Sequence, residues 1–211
     1  MFVRDLLRGN DIRFGTVAAS LTLDDWARPS LCDAWSNHDV LAHLVIGYQA
    51  GLRITATEML RHACSFDRAN AAMARSIAGV SSPAVLLDEF EKLVNQPRGL
   101  GRVFPRRLLL GDHVTHELDI LLAIDREPAI PSDAAVAVLN TQVAVPNPFV
   151  PAFRNSRGLR LRATDLEWTH GEGPIVEGRA VELISVLGNR PRMLSCLEGD
   201  GVELLAARVH P

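Results

Sequence analysis

Cysteine is scarce in this chain, and its arrangement argues against a disulfide framework. The three cysteines, Cys32, Cys64 and Cys196, are odd in number, lie far apart and form no CxxC pair. Small secreted proteins that depend on disulfides carry dense, paired cysteines instead. We therefore expect reduced thiols in a cytoplasmic protein.

Long apolar runs and basic blocks are missing as well. No stretch of about 18 apolar residues could serve as a transmembrane helix. The first five residues, MFVRD, place charges where a secretory signal needs an apolar core. The net charge is -3, and no lysine or arginine block is long enough to follow a phosphate backbone. We expect a soluble protein without a nucleic-acid or membrane partner.

Three familiar catalytic motifs are also missing. The sequence has no glycine-rich phosphate loop, no GxSxG turn and no HExxH helix. His116 and Glu117 begin a HExxH-like string, but position 120 is isoleucine. The chemistry of this chain must therefore come from another arrangement of residues.

The composition is that of a globular protein. Of 211 residues, 47% are hydrophobic and 22% are charged, which suffices for one large domain or two small ones. We see no internal repeat and no low-complexity tract.

Apolar residues at helical spacing predict four long helices in the first part of the chain. They span about residues 1–20, 36–62, 81–95 and 104–124. Ser36 and Asp39 fit a capping box at the start of the second helix. The segment 23–35 is predicted to be a loop packed down by Trp26 and Trp35, and 64–82 a connection with some helix. Four amphipathic helices of this length indicate a bundle.

The remainder of the chain has a different composition. We predict a short helix over about 131–143, strands at 159–163 and 166–170, a helix at 181–187 and a closing strand at 202–209. The expected fold class is therefore α+β. We place a helical domain at residues 1–128 and a small α/β domain at 129–211. We expect the second domain to pack on the bundle, because it is too small to be stable alone.

A polar insertion in the fourth helix is the strongest functional signal. Asp112 and His116 are four residues apart, so on a helix their side chains share one face. A carboxylate and an imidazole that project together form half of a metal site. A catalytic zinc site usually has three protein ligands and one open position, so a third donor is needed.

His43 is the candidate for that donor. It lies on the apolar face of the second helix, one turn beyond Asp39. A single histidine on such a face is more often a satisfied core residue than a ligand. A facing helix that carries Asp112 and His116 favours ligation, because metal sites in bundles are built from side chains on facing helices.

Other potential ligands fit the pattern less well. His113 could replace Asp112 as a partner of His116, but we expect it near the site or on the surface, and Glu117 faces away from His116. The remaining histidines are expected at helix ends or outside the bundle, namely His38, His62, His170 and His210.

Two motifs and the tail of the chain resemble a known family. The motifs are the string from Trp26 to Leu44, WARPSLCDAWSNHDVLAHL, and Asp112-x-x-x-His116-x-x-Asp119-Ile120. The tail string is GLRLRATD, from Gly158 to Asp165, with Trp168, GEGP at 171–174 and GDGV at 199–202. Together they resemble the mycothiol-dependent maleylpyruvate isomerase family of the DinB-like superfamily, whose fold is a metal-binding four-helix bundle followed by a small C-terminal domain.

The resemblance implies a divalent metal, zinc first of all, held by His43, Asp112 and His116. It also implies mycothiol or a similar low-molecular-weight thiol as cosubstrate, used for isomerisation or S-transfer. Asp119 matches a family aspartate near the site, where it would orient a ligand or bind substrate; the alternative is a surface acid paired with an arginine. Arg208 matches a family arginine that reaches the site, although a terminal arginine is usually a solvated charge.

The sequence departs from the family pattern at Asp112, and it leaves two other functions open. The isomerases have glutamate where this chain has Asp112, and zinc accepts either carboxylate. A non-catalytic metal-binding stress or sensor protein and a metal-dependent hydrolase are the alternatives to a thiol transferase or isomerase. The oligomeric state is expected to be a monomer or a homodimer.

Overall fold

The computed structural model describes residues 2–33, 35–147 and 150–209. Its N-terminal part consists of the helices α1 (Val3–Ala18), α2 (Leu23–Ala27), α3 (Asn37–Gln49), α4 (Leu52–Arg61), α5 (Phe66–Ala78), α6 (Pro83–Asn95) and α7 (Arg106–Leu121). Short 3-10 turns at Gly99–Arg102 and Leu122–Ile124 flank α7.

Helices α1, α3, α6 and α7 form the predicted bundle. Helix α1 packs on α6 and α7, and α3 packs on the same two helices. The fit is tight: Leu86, Phe90 and Leu93 recur on one face of α6 and are at most 3% exposed. Phe90 meets Phe14 of α1 edge to face, with ring centroids 5.8 Å apart. The bundle is thus held by apolar burial from all four helices.

Helix α3 begins where the sequence predicts and ends earlier. The Ser36 hydroxyl accepts a hydrogen bond from the Asp39 amide at 3.1 Å, and the Asp39 carboxylate accepts one from the Ser36 amide at 2.9 Å. This confirms the capping box. The single helix predicted over 36–62 is wrong, however, because the chain turns at Ala50 and Gly51 and restarts as α4.

A later loop causes this break. The Arg98 amide donates to the Tyr48 carbonyl at 2.8 Å, and the Leu100 amide donates to the Ala50 carbonyl at 2.9 Å. Gly101 makes the approach possible, because a Cβ there would lie 2.5 Å from the Tyr48 oxygen. These bonds use carbonyls that a continuous helix would need for itself.

Two segments predicted as irregular contain helix. Residues 23–27 form α2 with a capping box between Thr22 and Asp25, inside the segment predicted as a loop. Residues 66–78 form a full helix, α5, in place of a connection with some helix. Helix α5 packs on α3 and α4, and α4 buries none of its residues.

The C-terminal part carries a small sheet. Its elements are α8 (Ser132–Ala144), α9 (Ala152–Ser156), β1 (Arg160–Ala163), β2 (Thr169–His170), β3 (Ile175–Gly178), α10 (Ala180–Leu187), a 3-10 helix at Pro191–Cys196 and α11 (Val202–Ala206). The strand order is β2-β1-β3, with β1 antiparallel to β2 and parallel to β3.

The closing strand predicted at 202–209 is wrong. Residues 202–206 of that segment form α11, whose buried residue is Leu205. The third strand is instead β3, which the sequence analysis missed. The Asp200 carboxylate receives the Ile175 amide at 2.7 Å, so the turn before α11 fastens the start of β3.

The helices and the sheet share one apolar core, and the predicted α+β class is confirmed. Helix α8 packs on α7 and α10, and Gln142 of α8 donates to the Ile184 carbonyl of α10 at 3.1 Å. The C-terminal part therefore lies against α7. The division into domains at residues 128 and 129 stays a prediction. No helix among the described residues has the length and apolarity needed to cross a bilayer.

Candidate metal centre

The structure brings His43, Asp112 and His116 together at the facing surfaces of α3 and α7. One potential ligand atom from each lies within 4.8 Å of the other two. His43 Nε2 is 3.4 Å from Asp112 Oδ2, and His116 Nε2 is 3.6 Å from Asp112 Oδ1. Two nitrogen donors and one carboxylate thus converge on one point, which is a donor set that zinc accepts.

The centre is enclosed on the histidine side and open at the carboxylate. The side chains of His43 and His116 are 9% and 11% exposed, whereas that of Asp112 is 30% exposed. Asp112 is therefore the most solvent-exposed of the three side chains. The imidazoles remain in a site with little water, where charge interactions are stronger.

Each imidazole has an outer partner on its other nitrogen. His116 Nδ1 is 2.9 Å from Asp119 Oδ2, and His43 Nδ1 is 3.0 Å from Asn70 Oδ1. Both oxygens accept hydrogen bonds, so both Nδ1 atoms carry the proton. In a neutral imidazole the lone pair is then on Nε2, the atom that points to the centre. Outer partners of this kind orient the histidine ligands of metal sites.

The unpaired Nε2 atom of His43 tests whether these three residues fit a metal. His43 Nε2 is buried and makes no hydrogen bond, although Asp112 Oδ2 is 3.4 Å away. A buried nitrogen lone pair without a donor is costly in a finished protein interior. A cation bound between His43, His116 and Asp112 would satisfy it, so the residues fit a divalent metal.

The protonation states also suit a metal. Burial alone would raise the pKa of Asp112, but His43 and His116 beside it hold the pKa well below its usual range. Burial and the nearby His43 lower the pKa of His116. A carboxylate and neutral imidazoles are the forms that bind cations, since a protonated ligand must first lose its proton.

Asp119 connects the centre to the C-terminal part of the chain. Its side chain is fully buried, and Arg190 holds both carboxylate oxygens, with Nε donating to Oδ1 at 2.7 Å and Nη2 to Oδ2. Burial opposes ionisation of Asp119, but Arg190 and His116 lower its pKa to about 2. The expectation of a surface acid is wrong in location, since the arginine partner lies inside the protein.

Arg208 lies elsewhere. Its Nη1 donates to the carbonyl oxygens of Asn155 and Arg157 at 2.9 and 2.6 Å, at the end of α9. The arginine that reaches Asp119 is Arg190, 71 residues further along the chain. Arg208 therefore contacts the end of α9, and the arginine observed beside the centre is Arg190.

Trp35 forms a wall of the centre. Its ring lies 5.2 Å from the His43 ring and is stacked on the His116 ring at 5.9 Å, measured between centroids. The loop before α3 fixes it, because the Trp35 carbonyl accepts the Ser30 amide at 2.9 Å and the Ser30 hydroxyl at 3.0 Å. A buried indole against both imidazoles limits their rotation and excludes water.

His113 and Glu117 point to the other side of α7. His113 Nδ1 is 2.9 Å from Asp11 Oδ1, and Tyr48 donates to the other oxygen of the same carboxylate. Glu117 is completely buried and pairs with Arg13. The expectation that Glu117 faces away from His116 is therefore confirmed, and His113 lies in this second buried cluster.

The other candidates lie apart from the centre. His62 faces Glu58 at 3.6 Å, and His170 stacks on Trp168. His38 is in the first turn of α3, and His210 falls outside the described residues. The three cysteines are free, with Cys32 partly buried and Cys64 and Cys196 exposed. Burial and the charge of Asp119 raise the pKa of Cys32 to about 12, so its thiol stays protonated.

Part of this chain matches the model of a known family. Residues 7–97 match the family model described as mycothiol maleylpyruvate isomerase N-terminal domain. The family resemblance is confirmed. The matched segment includes His43 and ends before Asp112 and His116.

Solved structures of this family share the fold. Two crystal structures, one of a mycothiol-dependent maleylpyruvate isomerase and one of a mutant of such an enzyme, superpose with a TM-score of 0.53 each. Sequence identity is 13% and 14%, and each alignment covers 94% of this chain and 91% of the other. Among curated proteins, no sequence matches.

Sequence reasoning missed Asn70 and Arg190. Asn70 has a detectable signal, because it is a polar residue beside Ala69 on the side of α5 that packs inward. Arg190 has no local signal, since it follows α10 and meets Asp119 only through the tertiary fold.

Proposed function

We propose that this protein is a metal-dependent thiol isomerase or S-transferase, in which His43, Asp112 and His116 hold a divalent ion. Zinc is the ion that this donor set favours. The observation that carries the proposal is the convergence of His43, Asp112 and His116, which place one ligand atom each within 4.8 Å of the others. In addition, the buried Nε2 of His43 makes no hydrogen bond, while its Nδ1 is occupied by Asn70.

The cosubstrate in this proposal is mycothiol or a similar low-molecular-weight thiol. Support comes from the family match and from the two solved structures, which are those of mycothiol-dependent maleylpyruvate isomerases. A bound divalent ion lowers the pKa of a thiol and so supplies a thiolate at neutral pH.

The chain's own residues contribute position, charge and exclusion of water. Asn70 and Asp119 keep the imidazole protons on Nδ1, so that both Nε2 atoms remain available. Trp35 closes one wall, and the partly exposed Asp112 marks the side on which thiol and substrate enter. Arg190 neutralises Asp119, which keeps that buried carboxylate from competing for the ion.

The reaction class follows from thiolate chemistry. The sulfur adds to an electrophilic carbon of an activated cis double bond, rotation occurs about the resulting single bond, and loss of the sulfur restores a trans double bond and the free thiol. In S-transfer the carbon–sulfur bond is kept and another group leaves. The proposed substrates are therefore small electrophiles.

Elemental analysis of the purified protein tests the metal. We expect about one equivalent of a divalent ion in the parent and its loss in His43→Ala and His116→Ala. His170→Ala, an exposed histidine on β2, is the matched control and should keep the metal. A parent that takes up no metal even after addition of zinc would overturn the proposal.

Turnover assays then separate the function from its alternatives. A panel of cis-configured electrophiles is incubated with the zinc-loaded protein, with and without mycothiol. Turnover that requires the thiol supports the proposal. Hydrolysis that is independent of the thiol would identify a metal-dependent hydrolase, and bound zinc without any turnover would favour a binding or sensor role.

A further inference from the structure

Asn70 is a polar contact to the centre from outside the four-helix bundle. It lies on α5, and its Oδ1 accepts the hydrogen bond from His43 Nδ1 at 3.0 Å. Asp119 makes the corresponding contact to His116, but as a carboxylate. The two histidines therefore have chemically different outer partners, one neutral and one charged.

We propose that Asn70 is a positioning residue that fixes His43 for metal binding, and that its neutral amide sets the charge of the loaded centre for one anionic sulfur ligand. This inference rests on the proposed function. It adds a residue that neither the sequence motifs nor the matched ligand set includes, and it specifies the charge of the ligand that the centre takes.

The net charge of the residues around the centre supports the proposed role of the neutral amide. Asp112 contributes one negative charge, and the negative charge of Asp119 is offset by Arg190. Histidines that bind a metal are neutral, and the Asn70 amide is neutral as well. The protein residues thus sum to one negative charge, and a divalent ion brings the centre to one positive charge. A single thiolate then makes it neutral, which is the favourable state in a buried site.

An aspartate at position 70 would change this balance. It would still accept the proton of His43 Nδ1, but the loaded centre would be neutral before any thiolate arrived. Binding of the thiolate would then create a net negative charge in a site of low polarity. The asparagine therefore keeps the orienting hydrogen bond and omits a charge that would oppose the cosubstrate.

The position of Asn70 makes the test feasible. Helix α5 packs on α3 from outside the bundle, and Asn70 is only partly buried. Replacing it removes one hydrogen bond and leaves the apolar core in place. Asn95, exposed at the end of α6, offers a matched control for the same substitutions.

The experiment compares Asn70→Ala and Asn70→Asp with Asn95→Ala and Asn95→Asp in the full chain. Zinc affinity is measured by competition with a chromophoric chelator. Thiol binding is measured on the cobalt(II)-loaded proteins with 2-mercaptoethanol at pH about 7, from the sulfur-to-cobalt absorption in the near ultraviolet. Far-ultraviolet circular dichroism reports whether each variant is folded.

We expect Asn70→Ala to bind zinc about 10- to 100-fold more weakly, as for other outer partners of metal ligands. Asn70→Asp should bind zinc at least as tightly as the parent but the thiol about tenfold more weakly or worse, because of the added charge. The Asn95 variants should match the parent in both. A loss of helix alone cannot produce tighter metal binding together with weaker thiol binding.

Two outcomes would overturn the inference while the proposed function stands. Asn70→Ala that binds zinc as the parent does would show that the hydrogen bond does not position His43. Asn70→Asp that binds the thiol as the parent does would show that the neutral amide does not set the charge, and this variant decides that point even if Asn70→Ala unfolds. A parent that binds neither zinc nor thiol would instead overturn the proposed function and the inference with it.

Discussion

Asp119 accepts a hydrogen bond from Nδ1 of His116 at 2.9 Å. Asp119 lies three residues after His116 on the same helix. The spacing places both side chains on one side of α7, one facing Asp112 and the other facing Arg190. A single helix thus supplies two of the three candidate ligands and the outer partner of one of them. The C-terminal part of the chain, through Arg190, fixes that outer partner.

Asp119→Asn should weaken metal binding without removing a ligand. Asp119 Oδ2 accepts from both His116 and Arg190, and Oδ1 accepts from Arg190 Nε. An amide has only one oxygen, so its NH2 group would face one of these donors, and the buried Arg190 would lose its counter-charge. We expect zinc affinity to fall about 10- to 100-fold, measured by chelator competition. Asp125→Asn, an exposed aspartate just after α7, is the control, and an equal loss there would refute the role of Asp119.

The same pair predicts a change of stability in acid. The pKa of Asp119 is lowered from 3.8 to about 2, because Arg190 and His116 outweigh the effect of burial. The ionised carboxylate therefore stabilises the fold above pH 3.8, and this contribution is lost as the pH falls toward 2.

Urea unfolding of the parent and of Asp119→Asn measures this contribution. The difference in free energy of unfolding should shrink by about 2 kcal/mol as the pH falls from about 5 to about 2. The other carboxylates titrate in both proteins and largely cancel. A difference that grows in acid would contradict the assignment.

His113→Ala should spare the metal and destabilise the fold. His113 faces Asp11, and its removal leaves this buried carboxylate with hydrogen bonds from Tyr48 and, at 3.5 Å, from Asn10. We expect a loss of about 3 kcal/mol in the free energy of unfolding, as when one partner of a buried pair is removed. Metal content should stay at the level of the parent. Loss of metal here and retention in His43→Ala would show that the ligand set is wrong.

The helical half of the fold and the three candidate ligands could be predicted from sequence because both depend on local spacing. Asp112 and His116 are one helical turn apart, and Ser36 and Asp39 form a capping box that starts α3 in the correct register for His43. That α3 and α7 face each other is not visible in local spacing; the resemblance to the family implied it.

The features that were missed depend on contacts that sequence spacing does not show. Helix α3 ends at Gln49 because Arg98 and Leu100 bond to its last carbonyls across the bundle. Strand β3 exists because it pairs with β1 in parallel. Arg190 meets Asp119 because α10 packs against α7, and no local pattern in the sequence indicates that contact.

Arg13 and Glu117 test whether the far side of α7 is a separate structural cluster. Glu117 is fully buried and paired with Arg13, and burial raises its pKa despite that partner. Arg13→Met should cost about 3 to 5 kcal/mol in free energy of unfolding, because an unpaired carboxylate is left inside the bundle. The double variant Arg13→Met, Glu117→Leu should recover most of that loss, since an apolar pair has no charge to desolvate.

Zinc affinity should be unchanged in both of these variants, because Glu117 and the Nε2 of His116 point to opposite sides of α7. Urea unfolding and chelator competition on the same preparations give the two readouts. A double variant as unstable as Arg13→Met would mean that the ion pair, and not the isolated charge, governs stability. Weakened zinc binding in the double variant would mean that the polar cluster also holds the ligands on α7 in place, so that stability and metal binding could not be changed independently.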